Sequence, residues 1–117
     1  MSQELKQRTK QFALRVLKVF AALPKRGEDY VFGKQLIRSG TSVGAQYREA
    51  LRARSTAEFV SKLDSAQQEM EETIYWLELI SELGLLSSKR LAPLMSEANE
   101  LQAILVTSSK TAKSKPR

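Results

Sequence analysis

Four basic residues recur in the second quarter of the chain at spacings that place them on one side of a helix. They are Lys34, Arg38, Arg48 and Arg52. On a helical wheel at about 100° per residue, they fall within about 80° of one another. A row of cations on a rigid helix suits contacts with nucleic-acid phosphates, which depend on salt and not on base sequence. We therefore predict a nucleic-acid-binding surface here, to which Arg15 and Lys18 add charge from an earlier segment.

Two other interpretations of these cations stay open. Arginine also binds carboxylates through two hydrogen bonds, so the surface fits an acidic protein partner or a neighbouring subunit. A solvated helix face with no partner is the third interpretation.

Few catalytic chemistries are open to this chain. It has no histidine and no cysteine, which excludes Ser–His and Cys–His nucleophiles, disulfides and thiolate metal sites. Its one dense acidic cluster scatters around the predicted helix, so it is a poor metal site. That cluster comprises Glu69, Glu71, Glu72, Glu78 and Glu82. We predict no catalytic residue, no metal and no cofactor, and hence a protein that binds partners.

A second group of side chains suits contacts between subunits. Tyr75, Trp76, Leu79 and Leu83 lie away from the apolar stripe that runs along the same segment from Phe59 to Leu77. A helix with two apolar faces is either central in its own core or part of an interface. Tryptophan and tyrosine are enriched at interfaces. These four residues are the predicted oligomer interface, and burial within the chain's own bundle is the alternative.

Prolines and glycines divide the chain into four segments with apolar residues at helical spacing. The segments are 3–22, 28–54, 56–83 and 88–107. Short connections between helices of similar length favour antiparallel neighbours. The predicted fold is therefore an all-α, up-down-up-down four-helix bundle, with one domain over residues 1–107. The remaining residues, 108–117, are predicted to form a disordered basic tail.

Residues 39–44, Ser-Gly-Thr-Ser-Val-Gly, are typical of a loop at first sight. On the wheel, however, the apolar residues on both sides of the glycines share one face, which a loop would disrupt. The second helix is thus predicted to continue through them, with Gly40 and Gly44 allowing close approach of another helix. A phosphate-binding loop is disfavoured, since the Gly-x-x-x-x-Gly-Lys-Ser/Thr pattern is absent.

Charge is unevenly distributed along the chain. Residues 1–56 carry twelve Lys or Arg against four Asp or Glu, a net +8, whereas residues 57–109 carry three against nine, a net −6. This segregation favours pairing within or between subunits. No apolar run is long enough for a membrane span, and the polar N-terminus lacks a secretory signal, so a cytoplasmic protein is expected.

Three sequence blocks resemble the signature of the 23S rRNA intervening-sequence proteins, a group of small bacterial four-helix bundle proteins. They are QLIRSGTSVGAQYREA at 35–50, RSxxEF at 54–59 and ETIYWLE at 72–78. Gln46 departs from the asparagine expected there. The resemblance implies a ring-like homopentamer. It also implies similarity to the accessory protein of diversity-generating retroelements, which partners a reverse transcriptase and binds nucleic acid through a basic surface.

Overall fold

Four helices make up most of the chain in the structure, a computed structural model that describes residues 2–115. Their bounds are α1, Ser2–Ala22; α2, Gly27–Leu51; α3, Thr56–Glu82; and α4, Ser88–Ser114. No strand occurs in this described range. The predicted all-α class and the predicted number of helices are confirmed.

Helix α2 runs without a break through the apparent loop. Three hydroxyls in this stretch donate to backbone carbonyls one turn earlier: Ser39 to Gln35 at 3.1 Å, Thr41 to Ile37 at 2.7 Å and Ser42 to Arg38 at 2.6 Å. Hydroxyls that bond back in this way do not compete with the helix. The predicted continuity is confirmed, and the phosphate-loop alternative is excluded.

The end of α2 lies earlier than residue 54, where the sequence placed it. Ser55 is the N-cap of α3, with an extended φ of −153°, and its Oγ accepts from the N–H of Glu58 at 3.0 Å. The N–H of Arg52 and of Ala53 closes the last turn of α2 on Glu49 and Ala50, each at 3.1 Å. A short turn must separate these two ends, because an N-cap residue cannot itself be helical.

Glycines set the distance between α1 and α2. A Cβ built at Gly40 would lie 2.8 Å from Cγ1 of Val16, and one at Gly33 would lie 2.8 Å from Cδ1 of Phe20. At Gly44 the nearest atom is Oγ1 of Thr9, at 3.2 Å. At Gly33 and Gly40 the two helices therefore approach too closely for a larger residue to fit unless the facing side chain moves. Residue numbers rise along α2 as those of its neighbours in α1 fall.

Contacts between the later helices follow the same pattern. Glu49 accepts from Lys62 at 2.6 Å, and Thr73 Oγ1 donates to Ser39 Oγ at 2.9 Å inside the core. Between α3 and α4, Gln102 donates to the carbonyl of Gln67 at 3.0 Å. Each helix thus packs on the one before it. The fully buried side chains between them include Phe12, Leu36, Leu63, Met70, Leu77 and Leu101.

The prediction of a disordered tail from residue 108 is wrong for residues 108–114, which continue α4. Ser109 and Ala112 are buried, and Ser109 Oγ donates to Asp64 Oδ1 at 2.8 Å. These contacts with α3 hold the last turns in place despite their polar composition. Residues 116 and 117 of the predicted tail lie outside the described residues.

None of the helices described in residues 2–115 is long and apolar enough to cross a membrane.

We predict that Gly40→Ala lowers the free energy of unfolding by about 1–3 kcal/mol through overpacking against Val16. This loss occurs even though alanine is intrinsically favoured in a helix by about 1 kcal/mol. Gly44→Ala is the control. A Cβ at this position requires Thr9 to move by only a few tenths of an ångström, so the change in the free energy of unfolding is expected to be near zero. Urea denaturation measures both. If Val16→Ala does not reduce the loss of stability that Gly40→Ala causes, as measured in the double variant, then the contact between Val16 and Gly40 does not set the distance between α1 and α2.

A second prediction concerns the end of α4. Ser109→Asp is expected to lower the free energy of unfolding by about 1–3 kcal/mol, because it removes the hydrogen bond to Asp64 and places a second carboxylate beside it in a buried position. Thr111→Asp adds the same charge at a nearby exposed position and is expected to change the value by less than about 0.5 kcal/mol. Thermal unfolding of the two variants distinguishes a packed end from a disordered one, for which they would behave alike.

Candidate nucleic-acid interface

Basic side chains cluster where the beginning of α1 packs against the end of α2. Lys6, Arg48 and Arg52 surround a small hollow of about 60 Å³ next to Leu51. This proximity follows from the close packing of the two helices, since residues equally far from their connecting turn lie side by side. Lys6 comes from α1, so the surface spans two elements.

A larger recess of about 430 Å³ opens on the other side of Leu51. Arg54 lies on its wall beside Phe59, and Lys115, at the end of α4, lies across from them. Three separate parts of the chain thus contribute cations to the same end of the bundle. We call this surface the basic end, and its residues are Lys6, Arg48, Arg52, Arg54 and Lys115.

The cations of the basic end are free of internal ion pairs. Within the described part of the chain, none of the five has a carboxylate oxygen within 4.0 Å. Four of them are exposed, and Lys6 is half-buried. An unneutralised group of this kind raises the local concentration of an anionic ligand. What these side chains offer an anionic ligand is electrostatic attraction and charged hydrogen-bond donors.

Of the six residues predicted to bind nucleic acid, the structure brings only Arg48 and Arg52 to this surface. Lys34 lies nearer the start of α2, with Nζ 5.3 Å from the centre of the Tyr30 ring. Arg15 and Lys18 lie about 120–180° around α1 from Lys6. The six therefore do not form one surface, whereas Lys6, Arg54 and Lys115 join it unpredicted. The pairing of α1 with α2 around their turn is the signal that points to Lys6.

The last of the six, Arg38, is occupied within the protein. Its guanidinium donates to Glu69 at 3.3 Å and to Glu72, both on α3. The hydrogen bond with Arg38 is the main cause of the lowered pKa of Glu72, and Trp76 Nε1 also donates to that carboxylate at 3.4 Å. The pKa of Arg38 is raised by the same bond. This network neutralises Arg38 and joins α2 to α3.

A second ion-pair network ties α1 to α4. Arg8 donates through Nη2 to Glu97 at 2.8 Å and to Glu100 at 2.9 Å, and through Nε to Glu97 at 3.1 Å. These hydrogen bonds raise the pKa of Arg8. Arg8 is therefore structural, although it lies only two positions from Lys6.

The four predicted interface residues divide into two kinds. Tyr75 and Leu83 are 53% and 57% exposed, and Leu79 is half-buried. Trp76 instead stacks on Phe32 of α2, with the ring centres 5.8 Å apart, and so belongs partly to the bundle itself. The apolar surface left for another molecule is thus formed by Tyr75, Leu79 and Leu83.

The acidic residues of α3 do not converge. Two of them face Arg38, Glu71 accepts from Gln102 of α4 at 3.4 Å, and Glu78 and Glu82 are exposed. In residues 2–115, no three histidine, cysteine, aspartate or glutamate side chains are grouped closely enough to hold a metal ion.

Comparison with known proteins gives two findings. The family model described as 23S rRNA-intervening sequence protein matches residues 1–107. A crystal structure of a protein of unknown function from the S23 ribosomal protein family of Bacteroides thetaiotaomicron VPI-5482 is similar, with a TM-score of 0.85 and 34% sequence identity. The match covers 91% of this chain and 98% of that one. None of the curated proteins compared with this chain matches it.

The Arg38–Glu72 pair predicts a pH dependence of stability. Because the pKa of Glu72 is lowered in the folded protein, its ionised form adds stability at neutral pH, and this contribution is lost as the pH falls through the lowered pKa. Glu72→Gln is therefore expected to melt below the wild type at neutral pH, with the gap closing in acid. Glu82→Gln, at an exposed position, is the control. A gap that persists unchanged in acid would contradict the assignment.

Proposed function

The chain belongs to the 23S rRNA-intervening sequence protein family, and on this premise we propose that it is a non-enzymatic accessory protein that binds the phosphate backbone of RNA or DNA. The observation that carries the proposal is the basic end. Its five cations come from three parts of the chain, and none has a carboxylate oxygen within 4.0 Å in residues 2–115. Such a surface releases counterions from nucleic acid when it binds.

The rigid placement of these cations also supports phosphate binding. Arg48 and Arg52 are one helical turn apart, about 6 Å, which is close to the spacing of phosphates along a strand. Arg54 follows in the turn before α3 and lines the neighbouring recess, which shares Leu51 with the hollow beside Arg48 and Arg52. Guanidinium matches phosphate geometry with paired hydrogen bonds. The contacts expected are with the backbone, so the binding is independent of sequence.

We propose that the protein acts in the cytoplasm, where it assists a reverse transcriptase. The likeness to retroelement accessory proteins supports this role. The alternative function is a protein-interaction module that holds an acidic protein. The basic end supports that alternative as well, because guanidinium groups pair with carboxylates as they do with phosphates.

We further propose that the protein works as a homo-oligomer, with a pentameric ring of antiparallel up-down-up-down bundles. Opposite trends in residue number between contacting helices support the antiparallel order. The exposure of Tyr75 and Leu83 supports self-association, because large apolar side chains next to one another favour burial in an interface. Several copies of the basic end in one assembly would strengthen binding to a long nucleic acid.

Removing two cations from the basic end tests the function. Arg48→Gln/Arg52→Gln is expected to weaken binding to single-stranded and duplex RNA and DNA alike. The slope of log affinity against log salt should fall by about 1.4–1.8, since each of the two lost phosphate contacts contributes about 0.7–0.9. Fluorescence anisotropy across a salt series measures both quantities.

The matched control is Lys89→Gln/Arg90→Gln, which removes the same charge at the exposed start of α4, far from Lys115 along that helix. Its salt slope should stay at the wild-type value. Equal losses in the two variants would mean that only net charge matters. Absence of any binding by the wild type at low salt would refute the function, and selective capture of an acidic peptide would then favour the alternative.

A further inference from the structure

We propose that the outer face of α1 is a docking surface for the outer face of α3 in a second copy of this chain, in a head-to-tail contact. The inference rests on the self-association proposed above and names the surface that receives the Tyr75–Leu83 patch. It follows from exposed apolar residues and charge on two helices that do not touch each other within one protomer.

The outer face of α3 carries an apolar strip with acidic residues along one side of it. Tyr75, Leu79 and Leu83 form the apolar strip, and Glu71, Glu78 and Glu82 lie beside it. On a wheel at about 100° per residue, all six fall within about 140°, on the side away from the buried Leu63. No Lys or Arg occurs between Lys62 and Lys89, so nothing in the sequence offsets this charge locally.

The outer face of α1 is also partly apolar, but its charged residues have the opposite sign. Leu14 and Leu17 are 44% and 41% exposed, although α1 already buries Phe12 and Val16 on its other side. Lys10 and Lys18 are exposed and flank the two leucines along the helix. On the wheel these four lie within about 100°, opposite Phe12. No acidic residue occurs between Glu4 and Glu28.

The two faces also match in length. Lys10 to Lys18 and Tyr75 to Leu83 each span eight residues, about 12 Å along a helix. Two leucines of α1 can therefore lie against the apolar strip of α3 while the lysines reach the flanking glutamates. Burial of these side chains supplies the attraction, and the charges select the partner.

Charge decides between the possible symmetries. An α3 face packed on the α3 face of another copy would bring glutamates against glutamates, and two α1 faces would bring lysines against lysines. Like charges at an interface are strongly disfavoured. Contact between unlike faces is heterologous, so every copy offers one face and receives the other. Because α1 and α3 lie on opposite corners of the bundle and make no contact, both faces are open at once.

Charge reversal on each face, alone and together, tests the inference. Lys10→Glu/Lys18→Glu and Glu78→Lys/Glu82→Lys are each expected to reduce the wild-type oligomer to the 13.2 kDa monomer at micromolar concentration. All four substitutions in one chain restore unlike charges across the contact, and the oligomer mass is expected to return. Light scattering measures the mass, and circular dichroism checks that each variant is folded.

The control is Lys34→Glu/Lys110→Glu, which reverses one exposed charge on α2 and one on α4, the helices that take no part in the contact, and should leave the mass unchanged. If the wild type is an oligomer and either double reversal keeps its mass, or the fourfold variant stays monomeric while folded, the docking inference is overturned and self-association stands. If the wild type is a monomer, self-association itself is refuted. The salt slope of Arg48→Gln/Arg52→Gln reports on nucleic-acid binding independently of both.

Discussion

The close approach of α1 to α2 is the constraint on which the other features depend. It exists because Gly33, Gly40 and Gly44 lie on one side of α2, where a Cβ would meet side chains of α1 at 2.8–3.2 Å. Each glycine costs about 1 kcal/mol of helix propensity, which the packing of Val16 and its neighbours must offset. The same closeness carries Lys6 to Arg48 and Arg52, so a packing feature creates the basic surface.

Helix α1 depends on this seam more than the other helices depend on any single contact. Its approach to α4 is slight and is held mainly by Arg8 on Glu97 and Glu100. Between α2 and α3, in contrast, Thr73 and Ser39 share a buried hydrogen bond that fixes their relative positions. Each hydroxyl also bonds to a carbonyl of its own helix, at Gln35 and at Glu69, so neither depends on the other alone. The bond between them is made in this register only, and it therefore favours this alignment of α2 and α3. A buried hydrogen bond thus aligns α2 with α3, whereas α1 is held on α2 mainly by the close packing of its side chains.

The sequence predicted what depends on local order. The helical phase carried across Gly40 is a property of neighbouring residues, and that prediction is confirmed. The end of α4 was missed because polar composition suggested disorder. Leu105, Ser109 and Ala112 nevertheless continue one face at helical spacing, and only α3 reveals that small polar residues suffice there. The predicted set of basic residues differs from the basic end for a related reason. A helical wheel shows the faces of one helix, but it cannot show which residues of α1 lie beside α2.

The uneven charge of the chain acquires a spatial meaning in this fold. The basic first half becomes α1 and α2, and the acidic third quarter becomes α3, at the corner opposite α1. Arg38 and Arg8 each neutralise acidic side chains of another helix, so part of the opposite charge of the two halves is paired within the bundle. The remaining charge lies on two side faces and at one end. Side faces and an end can be occupied together, because copies packed side by side leave their ends exposed. The proposed assembly would use the side faces and the proposed phosphate binding would use the end, so the two would draw on different lysines and arginines of one bundle.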